Sequence, residues 1–426
     1  MASILSVEDV SPFWLAKTGD RSKGDTEMNR RLFIKNSLAG IPLLSSSFIF
    51  NMSRESFLDA EIGSPERGQR ARAREMGIII GDLSPGPMNA ITDVPGVKVG
   101  QTTILEGQGE HAIRTGVTVI RPPEGQHHGE RLFASFFSLN GWGEMTGLVP
   151  IEDKGWIESP IFLTGTYNVG IVYSAAVDYL TQRNSGQKGR PVPVPVVAEC
   201  FDDFLSHSQS RRIKKEDVFT ALESATDGPV EEGSVGGGTG MTSFGFKGGI
   251  GTSSRVVGIG GNNYTVGVLV MANTASRRQL RIDGVPVGKE VQGFEYTEGK
   301  TKSIILIAAT TAPLLPYQLK KIAKRVALGL AQTGAISHTG SGDIVLAFST
   351  GNRIPVETNQ SFSGINAVND FWITPLYQGT VEATQEAIIN ALTTAETIVG
   401  KGGNTAHGIP LDQVIDIMKK YHRLED

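Results

Sequence analysis

Only one of the 426 residues is a cysteine, Cys200. One thiol forms no internal disulfide, and a single thiolate is too few for a cysteine-ligated zinc site. No charge of one sign dominates: 40 Lys and Arg stand against 44 Asp and Glu, a net −4. No basic stripe with interleaved aromatics is present, so nucleic acid is not expected as a partner. The run Arg211-Arg212-Ile213-Lys214-Lys215 is followed by acids and reads as a solvated helix start. Two familiar motifs are also missing. The glycine-rich centre "GSVGGGTGMTSFGFKGGIGTSSRVV" holds neither G-x-G-x-x-G nor G-x-x-x-x-G-K-[ST]. Its Lys247 lies between Phe246 and Gly248, not before a Ser or Thr, and a phosphate loop is not expected. No G-x-S-x-G elbow marks a nucleophile.

What is present begins with an address. Residues 29–35 read "NRRLFIK", followed by the apolar stretches "LAGIPLL" and "SSSFIF". Paired arginines, a hydrophobic residue, a basic residue and a moderate apolar run form a twin-arginine export pattern. The apolar run is shorter than the ~20 residues of a membrane span. Met28 directly precedes the motif. Residues 1–27 are therefore expected to be an unfolded upstream extension and 28–60 the signal and leader, with a periplasmic destination. Residues 51–75 are polar and charged and read as a flexible leader.

A compact body is expected from about Gly77. "ITDVPGVKVGQTTI" and "RTGVTVIRPPEG" are short β-branched runs broken by Gly and Pro. "YNVGIVYSAAVDYLTQR" reads as a buried helix, and "PVPVPVVAECF" as an extended segment ending in a strand. The glycine-rich centre reads as a wall or a set of tight turns beside a pocket. "RVVGIGGNNYTVGVLVMAN" signals a hairpin whose second strand ends at Asn273.

"SIILIAAT", opening at Ser303, is a continuous apolar run suited to a strand buried on both faces. A helix follows: Leu319, Ile322, Ala323, Val326, Ala327 and Leu330 recur at helical spacing, between Pro316 and Gly334. Then comes "GSGDIVLAFST", another strand. If the two strands are parallel, the helix returns the chain to its starting edge. Ser303, Ser341 and Asp343 then gather at one edge, Ser341 and Asp343 facing the same way. A serine hydroxyl needs a base to act as a nucleophile. His338 is one candidate. The other is the α-amino group of Ser303 itself, with an ordinary pKa of about 7.7–8.0, if the chain is cut between Lys302 and Ser303. The competing reading is a serine that merely opens a strand, with a glycine turn at Ser341 and Asp343.

The segments "ITDVPGVKVGQTT", "LNGWGEMTGL", "GSVGGGTGM", "FKGGIGTSSR", "SIILIAATTAPLLPYQLKKIAKR", "GSGDIVLAFST" and "NTAHGIP" occur in this order. Together they resemble the self-processing L-aminopeptidase/D-esterase family, which includes the β-aminopeptidases. The resemblance runs from about Gly77 to the last helix. It implies an α/β fold: a four-layer α/β/β/α sandwich, like the N-terminal-nucleophile hydrolases but with different connectivity. It implies self-cleavage at Lys302–Ser303 into an α chain, residues 61–302, and a β chain, residues 303–426. By matching position, Ser303 is the nucleophile. Ser341 and Asp343 support it and its amino group, and Asn273 holds the oxyanion. Glu199 receives the substrate's free amino group, which suits aminopeptidase action on small peptides, amides or esters. No metal or organic cofactor is implied, and relatives assemble as homo-oligomers, often tetramers, of the cut unit.

Two positions depart from the family pattern. Phe201 stands where Tyr is frequent, and Lys302 stands where a smaller residue or Asn is expected. Two alternatives follow: an acyltransferase of the ornithine acetyltransferase type, whose usual nucleophile is Thr, and a ligand-binding relative that never cleaves. Cys200 reads as a packed small residue, His127 and His128 as solvated loop residues, and Glu144 as a residue near the site without an assigned role.

Overall fold

A computed structural model describes residues 69–123, 130–183, 192–293, 302–356 and 364–424, all within one compact unit. The twin-arginine segment and the His127-His128 pair lie outside the described residues. The main strands are, in chain order, β1 (Lys98–Glu106), β2 (Ile113–Arg121), β3 (Glu130–Gly141), β4 (Ile161–Gly165), β5 (Val196–Cys200), β6 (Gly249–Ile259), β7 (Asn262–Asn273), β8 (Lys302–Thr310) and β9 (Ser341–Ser349). The main helices are α1 (Val169–Arg183), α2 (Lys215–Glu223), α3 (Pro316–Gln332), α4 (Thr374–Thr393) and α5 (Leu411–Lys420).

Two sheets form. The smaller runs β1-β2-β4-β5, and the larger has β3-β9-β8-β7-β6 at its heart. Three apolar seams separate four layers. One lies between α1, α2 and the smaller sheet, around Val117, Phe162, Val172 and Leu222. The second lies between the sheets, around Leu163, Met271, Ile305 and Leu346. The third lies between the larger sheet and α3 and α4, around Leu306, Leu319, Ile322 and Ile388. This is the expected α/β/β/α sandwich.

β8 explains its own composition. Ile304, Leu306 and Ala308 enter the helix-side core, while Ile305, Ile307 and Ala309 enter the seam between the sheets. A strand covered on both faces has no polar side, so its sequence is continuously apolar. β8 and β9 are parallel, with Ser303 opposite Gly342, and α3 is the return crossover. α3 starts at Pro316, and Gly334 lies just beyond its end at φ +92°. On its other side β8 is antiparallel to β7, with Asn273 opposite Ser303. The β6–β7 hairpin turns on Gly260 and Gly261, both at positive φ (58° and 81°), the two-residue geometry that follows strand twist.

Two expectations are corrected. The segment read as a flexible leader up to residue 75 is docked from Arg70 onwards. Arg70 donates to the carbonyls of Ile409 and Leu392, Arg72 to those of Met88, Asn89 and Thr252, and Arg74 to Glu386. Alternate arginines grip the body while Ala71 and Ala73 between them are buried; charge alone mimicked a solvated tail. The glycine-rich centre, in turn, is the set of tight turns beside the site, its Thr242 N–H on Asn273, and not a wall of the pocket. Its Gly236–Gly238 turn wedges against the smaller sheet. A Cβ on Gly237 would lie 2.6 Å from the Leu163 carbonyl oxygen, so the glycine serves close packing. Lys247, fully buried there, donates to the carbonyls of Gly238, Met241 and Gly248 at 2.7–3.0 Å.

Candidate active site

Strand alternation settles where each side chain at the head of β8 points. Ser303 shares the register of Ile305 and faces the seam between the sheets; Lys302 shares that of Ile304 and faces the helix side. Ser303 is only 4 % exposed and borders a cavity of about 460 Å³. The other walls carry Glu144, Glu199 and the aromatics Trp142, Tyr167 and Phe201. Gly141, Gly143 and Gly340 complete the lining, so the glycines beside the pocket come from the ends of β3 and β9.

The Ser303 Oγ accepts a hydrogen bond from the Gly342 N–H at 3.1 Å. Asn273, on the paired position of β7, shares the Ser303 face. Its Oδ1 accepts from the Thr242 N–H at 2.8 Å and its Nδ2 donates to the Phe201 carbonyl at 3.0 Å. These two bonds fix the amide orientation and leave the second Nδ2 hydrogen for another acceptor.

Ser341 and Asp343 reach the expected edge but not the cavity. Ser341 pairs with Lys302 and Asp343 with Ile304, so both side chains lie on the opposite face from the Ser303 hydroxyl. They flank the Ser303 backbone instead. The Ser341 hydroxyl donates to Asp343 Oδ2 at 2.8 Å and accepts from Asn140 Nδ2 at 3.1 Å. Burial holds the Asp343 carboxyl above the usual carboxylate range, against the pull of its bonds to Ser337 and Ser341. His338 is turned elsewhere: its Nε2 meets Gln279 Oε1 at 3.1 Å, and the Ser303 hydroxyl meets a backbone amide, not an imidazole.

Glu199 is the residue before last in β5 and is 5 % exposed. Its Oε1 accepts from the Glu144 N–H at 3.0 Å, and its Oε2 accepts from the Thr166 hydroxyl. Burial raises its pKa; the two hydrogen bonds oppose this and the Glu144 charge adds to it. The site thus holds a partly desolvated carboxylate across a cavity from a hydroxyl flanked by N–H donors. Such a pair suits a substrate with an ammonium at one end and a reactive carbonyl nearby. Phe201 packs edge-to-face on Tyr167, ring centroids 5.7 Å apart. Cys200 is fully buried with its Sγ towards the Met271 carbonyl, and burial pushes its thiol pKa well up, so it packs and does not attack.

Thr166, Tyr167, Asn140 and the Gly342 amide were not legible in advance. Trp142 lies inside "LNGWGEMTGL" but nothing in that segment assigns it a wall. Among the described residues, no three His, Cys, Asp or Glu side chains form a metal-holding group, and no helix is long and apolar enough to cross a membrane.

Comparison with known proteins adds to this geometry. Peptidase family S58 matches residues 89–406. The β-peptidyl aminopeptidase BapA of Sphingosinicella xenopeptidilytica is 42% identical over 368 residues, 82% of this chain and 91% of that protein. A solved β-aminopeptidase of a Burkholderia species superposes with a TM-score of 0.77 at 41% identity, covering 82% of this chain and 99% of its own. The L-aminopeptidase D-Ala-esterase/amidase of Ochrobactrum anthropi, described as a variant of the Ntn hydrolase fold, superposes with a TM-score of 0.79 at 38% identity, covering 83% and 99%. The family match covers most of the chain, and the chain belongs to peptidase family S58.

Proposed function

We propose that the chain cuts itself between Lys302 and Ser303 and that the freed Ser303 then works as the nucleophile of an aminopeptidase acting on small peptides, amides or esters. The observation that carries this reading is the register: Ser303 lies between Asn273 and Gly342 and borders the cavity that holds Glu199. In the cut enzyme the residues 61–302 and 303–426 remain one body, since β8 stays between β7 and β9.

The new α-amino group of Ser303, with an ordinary pKa near 7.7–8.0, takes the hydroxyl proton as the Oγ attacks the substrate carbonyl. Ser341 and Asp343, on the neighbouring strand beside that nitrogen, hold the amino group in place. The second hydrogen of the Asn273 amide and the Gly342 N–H stabilise the oxyanion. Glu199 receives the substrate ammonium, which confines cleavage to the amino-terminal residue. The amine leaves with a proton returned by the Ser303 amino group, and water resolves the ester. Relatives named β-peptidyl aminopeptidases support including β-amino acyl groups among the substrates. Phe201 carries no hydroxyl, so its contribution is the aromatic wall it forms with Tyr167.

We also propose export by the twin-arginine route. The sequence supports it: the twin-arginine pattern at residues 29–35 is followed by a moderate apolar run shorter than a membrane span. A homo-oligomer of cut units is proposed as well, supported by Phe371 and Trp372, 94% and 64% exposed.

The test is intact mass under denaturing conditions. Two chains, the smaller starting at Ser303, are expected from the natural protein, and one uncut, inactive chain from Ser303→Ala. Normal amide turnover by Ser303→Ala overturns the proposal.

A further inference from the structure

Lys302 carries the carbonyl of the bond proposed to be cut, and its surroundings give it a task. Its side chain leaves the sheet on the face opposite the Ser303 hydroxyl, so the ammonium does not enter the cavity. Instead Nζ donates to the Ala275 carbonyl at 2.5 Å and to the Ser276 hydroxyl at 3.2 Å. Those acceptors belong to the corner immediately after Asn273. Ala275 turns that corner at φ +60°, in the left-handed region that residues bearing a Cβ seldom adopt. Ser276 then opens a short helical turn, its N–H bonded to Gln279. One side chain therefore ties the last residue before the cut to the corner that carries Asn273.

We propose that Lys302 is a positioning residue for self-cleavage: its ammonium, seated on Ala275 and Ser276, holds the scissile peptide steady against the Ser303 hydroxyl and Asn273. The inference rests on the self-cleavage reading above. In that reaction the Ser303 Oγ adds to the Lys302 carbonyl carbon and the Lys302–Ser303 C–N bond breaks. The hydroxyl proton ends on the Ser303 nitrogen, and an ester joins the two chains. Water then splits the ester into the Lys302 carboxylate and the Ser303 hydroxyl. The addition needs the oxygen held at roughly 3–3.5 Å from the carbon. The Gly342 N–H fixes the hydroxyl, and the Lys302 clamp fixes the carbonyl side. The ammonium makes charge-assisted bonds, which are the stronger kind.

The experiment follows chain scission on denaturing gels after a pulse of cell-free synthesis. It compares the natural chain, Lys302→Met, Lys302→Arg and Ser303→Ala. Lys302→Met keeps the aliphatic stem without a donor and is expected to cut about tenfold or more slowly. Lys302→Arg restores donors to both acceptors and is expected to cut near the natural rate. Melting of Ser303→Ala with and without Lys302→Met, where nothing is cut, reports folding separately. If Lys302→Met does not fold, Lys302→Gln replaces it and must cut more slowly than Lys302→Arg. A Lys302→Met chain that cuts at the natural rate, or Lys302→Arg as slow as Lys302→Met, overturns the inference alone. A natural chain that stays whole overturns the self-cleavage reading itself.

Discussion

Exchange of Glu199 for Gln removes one negative charge from the cavity and preserves the side chain's shape. The Glu144 N–H, now on Oε1, still finds an oxygen, and the Thr166 hydroxyl can turn to accept from the new amide. The substrate ammonium, however, loses its counter-charge. Removing one partner of a buried ion pair costs roughly 3–5 kcal/mol. The cavity opens to solvent at the exposed Glu144, so the lower part of that range applies. At about 1.36 kcal/mol per decade this is on the order of a 10²–10³-fold loss in kcat/KM. The assay compares an aminoacyl amide with the same amide lacking the amino group. The loss is expected on the first substrate only, so their ratio collapses. The acid side of the pH profile changes as well. On the proposed role Glu199 must be ionised to hold the ammonium, and its raised pKa is expected to add to the fall in activity at low pH. Glu199→Gln is expected to show a shallower acid limb, set by the Ser303 amino group alone. Stability moves the other way. A carboxyl whose pKa is raised by folding holds its proton more tightly when folded, so stability falls as pH rises through that value. At neutral pH Glu199→Gln is expected to melt no lower than the natural protein. An equal loss on both substrates, or an unchanged ratio, refutes Glu199 as the ammonium site.

Two further outcomes test the surroundings. Asn273→Ala removes the proposed oxyanion donor and is expected to lower kcat by about 10²–10³-fold with little change in KM; it also strands the Thr242 N–H and the Phe201 carbonyl, so a lower melting point accompanies it. Lys247→Met takes the ammonium from three buried carbonyls; those of Gly238 and Met241 keep the N–H donors of Met241 and Gly248, while that of Gly248 loses its side-chain donor at roughly 1–3 kcal/mol, and a drop of a few degrees in melting temperature is expected. Burial pushes the Lys247 ammonium down to about 7, so the natural protein should gain stability as pH rises from about 7 towards the unfolded lysine's value, a gain absent in Lys247→Met.

Much of the frame is written locally. The apolar run after Ser303 is a strand covered on both faces, and the Pro316-to-Gly334 segment is the helix beside it, because hydrophobic periodicity and end signals act within a few residues. That crossover permits parallel pairing of β8 and β9, and the pairing observed places Ser303, Ser341 and Asp343 at one edge. The ordered motifs carried the family. Face, docking and closure belong to the tertiary structure. The pleat and the exact register decide that Ser303 and Asn273 look into the seam while Lys302, Ser341 and Asp343 look away from it; a shift of one residue would exchange them. The walls made by Trp142, Thr166 and Tyr167 come from loops whose path no local pattern dictates. The arginines at 70, 72 and 74 resemble a solvated tail until carbonyls and the Glu386 carboxylate, from other segments, meet them. Glycines in the centre read as a pocket wall as easily as tight turns until two sheets are seen to need that closeness. Local preference determines which elements form; only long-range packing determines which side chains share a cavity, because that depends on atoms hundreds of residues apart arriving at the same place.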